Sequence, residues 1–112
     1  MKSNFLVELA GDGRSTVVTV CGELDLATSP PLDDELARLS TGGDGMVILD
    51  LRRLDFMDST GLSTLVRAQE RLEQAGRQLG IVRGTQQVQR LLELTGVAER
   101  LEFANAPDEF RT

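Results

Sequence analysis

The sequence predicts an α/β fold in a single domain that spans residues 1–112. Two observations predict it. Strand-like segments come first as a hairpin, and short apolar segments then alternate with segments of helical periodicity. The predicted order is β-β-α-β-α-β-α-β, and its alternating part favours parallel strands joined by helical crossovers. We therefore expect a mixed β-sheet that opens with an antiparallel hairpin and has helices packed on it.

The opening hairpin is predicted from two strands and the turn between them. Phe5–Leu9 is the first strand, and Ser15–Cys21 is a second strand rich in β-branched residues. Gly11-Asp12-Gly13 between them is typical of a hairpin turn. After the second strand, Gly22-Glu23-Leu24-Asp25 is expected to leave the sheet as a loop.

The first helix is predicted from its start signals and its apolar face. Thr28 or Ser29 would cap it, and Pro30-Pro31 is tolerated only at its very start. The acidic run 33–35 is expected in its first turn, where the positive end of the helix favours carboxylates. Gly42-Gly43 would end it. Its apolar face comprises Leu32, Leu36 and Leu39.

Three short apolar runs predict the remaining strands. Met46–Leu49 is nearly unbroken, which is typical of a central strand covered on both faces. Leu79–Val82 is the next strand, in which Gly80 would let a helix approach the sheet closely. Leu101–Phe103 would be a short edge strand. The segment from Asp50 to Asp58 is interpreted as a connection.

Two further helices follow from capping and periodicity. One is predicted from about Ser59 to Ala75, ended by Gly76. The next would be capped by Thr85 and ended by Gly96. Asn105–Glu109 is typical of a helix start. The predicted inward positions of the two helices are Leu62, Leu65, Val66, Gln69 and Leu72, and Val88, Leu91 and Leu92.

The composition restricts the function. A net charge of -6 disfavours binding to nucleic acid or to an anionic membrane, and favours a protein partner with a basic patch. The chain has no histidine, and Lys2 is its sole lysine, so common catalytic and histidine-metal sites lack their parts. We expect no enzymatic activity, metal or cofactor. A single cysteine, Cys21, suits the reducing cytoplasm, and no apolar run approaches membrane-span length.

The most informative segment is Val47–Leu65, VILDLRRLDFMDSTGLSTL. A buried strand ends near its start, Phe56-Met57 is interpreted as an apolar plug, and a helix begins after it. By itself, Asp58 or Ser59 in such a position is an N-cap that contributes about 1 kcal/mol. Gly61 disfavours a helix relative to alanine, which indicates that something approaches this helix end closely.

Two motifs together resemble the anti-sigma factor antagonist family of STAS domains. They are DFMDSTGL after the VILDL strand, and Gly22-Glu23-Leu24-Asp25 upstream, separated by one helix and one strand. The resemblance extends from the hairpin to about Phe103 and implies the STAS fold. It also implies that Ser59 is the phosphoacceptor. The partner-binding residues that we expect on this basis are Glu23, Asp25, Met57, Asp58, Thr60 and Gly61.

The resemblance further implies a partner-switching role. The unphosphorylated protein would bind an anti-sigma factor that is also a serine kinase, and would thereby free a sigma factor. Phosphorylation of Ser59 would release it, and a serine phosphatase would reset it. Free backbone N–H groups at the helix start are expected to tolerate the phosphate. Leu26-Ala27 is more apolar than in many relatives, so partner specificity is expected to differ.

Three alternatives were compared with this interpretation. A receiver-like protein would accept phosphate on Asp50 or Asp55, but it needs a late lysine that the sequence lacks. A carboxylate hydrolase would need a second copy of an Asp-Ser/Thr-Gly motif. A non-cycling STAS subunit of a larger transporter or sensory assembly stays open, because a capping serine gives the same pattern as a phosphoacceptor.

Overall fold

The structure, a computed structural model, describes residues 5–11, 14–43 and 45–110. Within these residues the strands are β1 (Leu6–Gly11), β2 (Ser15–Leu24), β3 (Met46–Asp50), β4 (Leu54–Met57), β5 (Leu79–Val82) and β6 (Glu102–Ala104). The helices are α1 (Ser29–Thr41), α2 (Ser59–Gln74) and α3 (Gln86–Leu94), and single 3₁₀ turns cover Val97–Arg100 and Pro107–Phe110.

The sheet confirms the predicted mixed α/β fold. Its strand order is β1-β2-β3-β5-β6, in which β1 and β2 are antiparallel and the remaining neighbours are parallel. The central position of β3 explains its unbroken apolar run, because Val47, Ile48 and Leu49 are all fully buried. The predicted hairpin forms, although Asp12 and Gly13 of its turn lie outside the described residues.

One strand was not predicted. The segment interpreted as a connection contains β4, which pairs in parallel with the end of β2, Leu24 opposite Met57. The prediction that 22–25 leaves the sheet as a loop was therefore wrong, since Gly22–Leu24 is still strand. The predicted plug is also only half correct, because Met57 is 5% exposed but Phe56 is 38% exposed.

The helices agree closely with their predicted ranges. Gly76 and Gly96 follow α2 and α3 with φ of +73° and +79°, the left-handed conformation that favours glycine at a helix end. Thr85 caps α3, its hydroxyl accepting from the Val88 amide at 3.3 Å. None of the described helices is long and apolar enough to cross a membrane.

The acidic run of α1 was placed wrongly. The helix begins at Ser29, so its first turn contains no acidic residue. Asp33 instead faces α2, where its carboxylate pairs with Arg67 at 3.4 Å and Arg71 at 3.2 Å. These half-exposed ion pairs join the two helices but add little stability.

The main core lies between the sheet and the three helices. It is built from alternate strand residues and the inward positions of the helices, including Val18, Val20, Leu24, Leu32, Leu36, Leu49, Leu65, Leu72, Ile81, Val88 and Leu92. A smaller cluster on the opposite face contains Val17, Ile48 and Val82, with Phe110 packed against it. Both faces of the sheet are therefore covered at its centre, and the loops lie at the ends of the strands.

The close approach predicted at Gly80 is made by the C-terminal 3₁₀ turn and not by a crossing helix. A Cβ at Gly80 would lie 2.8 Å from Cζ of Phe110. The predicted start of a last helix is a single 3₁₀ turn, Pro107–Phe110, which places that ring on the sheet. The bare backbone of Gly80 therefore makes room for the aromatic ring that covers the smaller cluster.

Candidate phosphorylation and partner-binding site

The unpredicted strand brings the two sequence motifs together. Because β2 and β4 are parallel, the residues that follow them emerge at the same edge of the sheet. The Asp58 amide also donates to the Leu24 carbonyl at 3.2 Å, one step beyond the last paired residues. Asp25 and Asp58 are thereby held side by side at the ends of two neighbouring strands.

Asp58 is the N-cap of α2. Its backbone is extended, and its Oδ1 accepts from the amides of Thr60 at 2.9 Å and Gly61 at 3.1 Å. Ser59 is therefore the first residue of the helix, and its interpretation as the capping residue was wrong. The expectation of free amides at this helix start must also be corrected, since the carboxylate of Asp58 occupies two of them.

The hydroxyl of Ser59 is free for chemistry. The residue is exposed, and its Oγ makes no hydrogen bond to any of the described residues. Its carbonyl, in contrast, accepts from the Ser63 hydroxyl at 3.0 Å, as a residue inside a helix can. The fold therefore leaves this hydroxyl accessible and does not use it as a helix cap.

Gly61 lets α2 begin directly on the two strands. A Cβ at this position would lie 2.7 Å from Cγ of Met57 and 2.9 Å from the carbonyl oxygen of Leu24. The close approach expected from the sequence is thus made by the chain itself. Met57 and Gly61 are both buried, so they form the contact between the strand ends and the first turn of α2, which carries Ser59.

Asp25 opens a tight turn. Its Oδ1 accepts from the amides of Ala27 at 3.0 Å and Thr28 at 3.1 Å, and from the Thr28 hydroxyl at 3.1 Å. The single proton of this hydroxyl is shared between Oδ1 and the Glu23 carbonyl, which lies closer, at 2.7 Å. The carboxylate that the resemblance assigned to partner contact is therefore bound on one of its oxygens to its own loop.

The outward surface of this edge combines carboxylates with apolar side chains. Glu23 and its cross-strand neighbour Phe56 are both exposed, and Thr60 is half-buried. Leu26 is 75% exposed. Phe56 was missed as a surface residue because a phenylalanine between an aspartate and a methionine resembles core; only its pairing opposite an exposed glutamate reveals its direction.

The charge at this edge is negative and uncompensated. Glu23, Asp25, Asp55 and Asp58 form no ion pair with any of the described residues. The ion pairs of the nearby arginines go elsewhere, for example that of Arg53 to Glu8. Within the described ranges, no group of three or more His, Cys, Asp or Glu side chains is arranged to hold a metal ion.

Comparison with known proteins identifies the family. The model of the family described as Mlab, STAS domain, matches residues 7–105. An anti-sigma-B factor antagonist of Staphylococcus aureus (strain NCTC 8325 / PS 47) is 31% identical over 96 residues, which cover 86% of this chain and 89% of that protein.

Solved structures have the same fold. An anti-sigma factor antagonist from Mycobacterium paratuberculosis has a TM-score of 0.78 at 27% identity, with 96% of this chain and 90% of that chain covered. The Bacillus cell fate determinant SpoIIAA in the phosphorylated form has a TM-score of 0.71 at 20% identity, with 94% of each chain covered. Because the family model and the staphylococcal relative both span most of the sequence, the chain belongs to the STAS domain family.

Proposed function

We propose that this chain is a cytoplasmic anti-sigma factor antagonist. In its unphosphorylated form it binds an anti-sigma factor that is also a serine kinase, and a sigma factor is freed. Phosphorylation at Ser59 inactivates it, and a serine phosphatase restores it. The name of the staphylococcal relative, an anti-sigma-B factor antagonist, supports the general role.

The proposal rests on one observation: Asp58, and not Ser59, is the cap of α2. Asp58 caps α2 with two hydrogen bonds, so the Ser59 hydroxyl is not needed to cap the helix. A kinase can therefore modify this hydroxyl without removing a contact that the fold requires. The nucleotide site, the magnesium ion and the base belong to the kinase, and this chain is its substrate.

A phosphate on Ser59 would act through repulsion. It adds a charge of roughly -1.5 to -2 at neutral pH. Since the carboxylate of Asp58 already accepts from the amides of Thr60 and Gly61, a phosphate on the exposed Ser59 would add its charge to a surface whose nearest helix amides are largely occupied. Like-charge contacts across an interface cost several kcal/mol, whereas about 1.4 kcal/mol is a tenfold loss of affinity. A single phosphate thus suffices to end the complex.

Phosphorylation is tested with the purified anti-sigma factors of the source organism, each incubated with this chain, ATP and Mg²⁺. Mass spectrometry is expected to find one phosphate, and Ser59→Ala is expected to abolish it. Ser63→Ala is the matched control, because Ser63 is an exposed serine one turn further along α2.

Two results would contradict the proposal. One is phosphorylation of Ser59→Ala at the rate of the unchanged chain. The other is an absence of phosphate with every anti-sigma factor while the chain stays bound to a partner in the presence of ATP. That second result would favour a non-cycling STAS subunit of a larger assembly.

A further inference from the structure

The loop after β2 presents one leucine in a fixed position. Asp25 and Thr28 close this loop through mutual hydrogen bonds, which include the Asp25 amide to the Thr28 hydroxyl at 2.9 Å. The Asp25 carbonyl also accepts from the amide of Ser29 at 2.8 Å, so a hydrogen bond joins the loop directly to the first residue of α1. Leu26 lies at the outside of this turn with 75% of its surface exposed.

This leucine belongs to the same edge as Ser59. The last paired residues of β2 and β4 are Leu24 and Met57. Leu26 lies two positions after Leu24, and Ser59 lies two positions after Met57. A single exposed leucine is common on a protein surface. Here, however, the leucine stands on a hydrogen-bonded turn at the same sheet edge as the proposed phosphorylation site.

The charges around Leu26 indicate what kind of surface it fits. Glu23, Asp25 and Asp58 lie on the strands and loops that flank it, and none of them is neutralised by an arginine among the described residues. A partner that covers this edge must supply cations to the carboxylates and an apolar pocket to the leucine. Interfaces of this form place an apolar anchor in the centre and polar contacts at the rim.

We propose that Leu26 is the apolar anchor of the partner-binding face, and that Asp25 and Thr28 are the residues that position it. The occupant is the anti-sigma factor, through an apolar pocket rimmed by lysine or arginine. This inference rests on the proposed function and assigns the part of its surface that determines partner choice. A preformed anchor favours affinity because little conformational freedom is lost when it binds.

The anchor is tested by measuring the affinity of an anti-sigma factor for Leu26→Ala by isothermal titration calorimetry. We expect a loss of roughly tenfold or more, typical of a buried anchor residue. Leu94→Ala is the matched control, because Leu94 is 77% exposed but ends α3, and it is expected to bind as the unchanged chain does. Equal affinities for Leu26→Ala and Leu94→Ala would overturn the anchor.

The positioning role is tested with conservative and disruptive pairs. Asp25→Asn keeps an Oδ1 acceptor for the turn and Thr28→Ser keeps the hydroxyl, so both are expected to lose less than threefold in affinity. Asp25→Ala and Thr28→Val remove these hydrogen bonds and are expected to lose about as much as Leu26→Ala. If Asp25→Asn weakens binding as much as Asp25→Ala, Asp25 acts by its charge, and its positioning role is refuted.

Salt separates the two components of the surface. Attraction between the carboxylates and a basic rim weakens as ionic strength rises, whereas burial of a leucine does not. We expect the affinity of the unchanged chain to fall with added salt, while the ratio between it and Leu26→Ala stays constant. An affinity independent of salt would refute the basic rim.

Circular dichroism at increasing temperature confirms that each variant is folded before binding is compared. Failure of the unchanged chain to bind any anti-sigma factor would overturn the proposed function together with this inference. Normal binding and phosphorylation of the unchanged chain, with no effect of Leu26→Ala, would overturn only the inference.

Discussion

At the scale of single residues, two neighbours in the same motif have separate tasks. Asp58 holds the first turn of α2, and Ser59 contributes only an exposed hydroxyl. A helix cap and the proposed modification site thus lie next to each other without sharing a hydrogen bond. Because the cap does not use the hydroxyl, we expect the helix start to keep its two capping hydrogen bonds if the hydroxyl is modified.

This separation predicts different stabilities for two alanine variants. Asp58→Ala removes both capping hydrogen bonds and is expected to lower the free energy of unfolding by about 1 kcal/mol. Ser59→Ala removes no hydrogen bond of the hydroxyl to the described residues and is expected to stay within about 0.5 kcal/mol of the unchanged chain. Urea unfolding measures both. A larger loss for Ser59→Ala than for Asp58→Ala would show that the serine is the cap.

At the scale of elements, the packing of α2 on β2 and β4 decides where the site lies. The helix can start this close to the strands only because Gly61 has no side chain. Helix propensity favours alanine over glycine by about 1 kcal/mol, but the backbone oxygen of Leu24 cannot give way as a flexible side chain would. Close packing therefore outweighs propensity at this position.

Gly61→Ala is accordingly expected to destabilise the fold, by about 1–3 kcal/mol as overpacking does. Gly42→Ala is the control, because its Cβ would lie 3.8 Å from the nearest atom, the Arg38 carbonyl oxygen, and its φ of -125° suits any residue. Thermal unfolding compares the two. A Gly61→Ala variant as stable as Gly42→Ala would mean that the close contact relaxes without cost.

The same elements show what the sequence alone could predict. The hairpin, β3 and α2 have strong local patterns and were all predicted; the ranges of β3 and α2 agree closely, whereas β2 continues beyond the predicted Cys21 to Leu24. In β4, two exposed residues stand between buried Leu54 and Met57, so four residues give no alternation, and the strand is defined only by pairing with the distant β2. The turn of Asp25 and Thr28 was not predicted for a different reason: Asp and Thr can form such local hydrogen bonds in several loop conformations, so the residue types do not specify one turn.

At the scale of the whole molecule, net charge and site position act in the same direction. The chain carries a net charge of -6, and its proposed binding edge is lined by unpaired carboxylates. Association with a basic partner is therefore steered over a distance of about a Debye length before any contact forms. The folded core lies behind this edge, so added charge there affects association more than folding.

This predicts that Ser59→Asp folds normally but binds an anti-sigma factor at least tenfold more weakly. Ser63→Asp, which adds the same charge one turn along α2, is the control and is expected to bind much more strongly than Ser59→Asp. Surface plasmon resonance gives the affinities, and circular dichroism checks the fold. Near-normal binding by Ser59→Asp would contradict repulsion as the mechanism of inactivation.

The parallel pairing of β2 with β4 has a consequence for the nascent chain. The two strands are separated in sequence by α1 and β3, so the pairing of Leu24 with Met57 can form only after the chain has been synthesised through β4 and the two strands have been brought together. Until the two strands pair, Ser59 and Leu26 are not held near each other. A partner that contacts both Ser59 and Leu26 would therefore not bind incomplete or unfolded chains. Only folded molecules would take part in the switch.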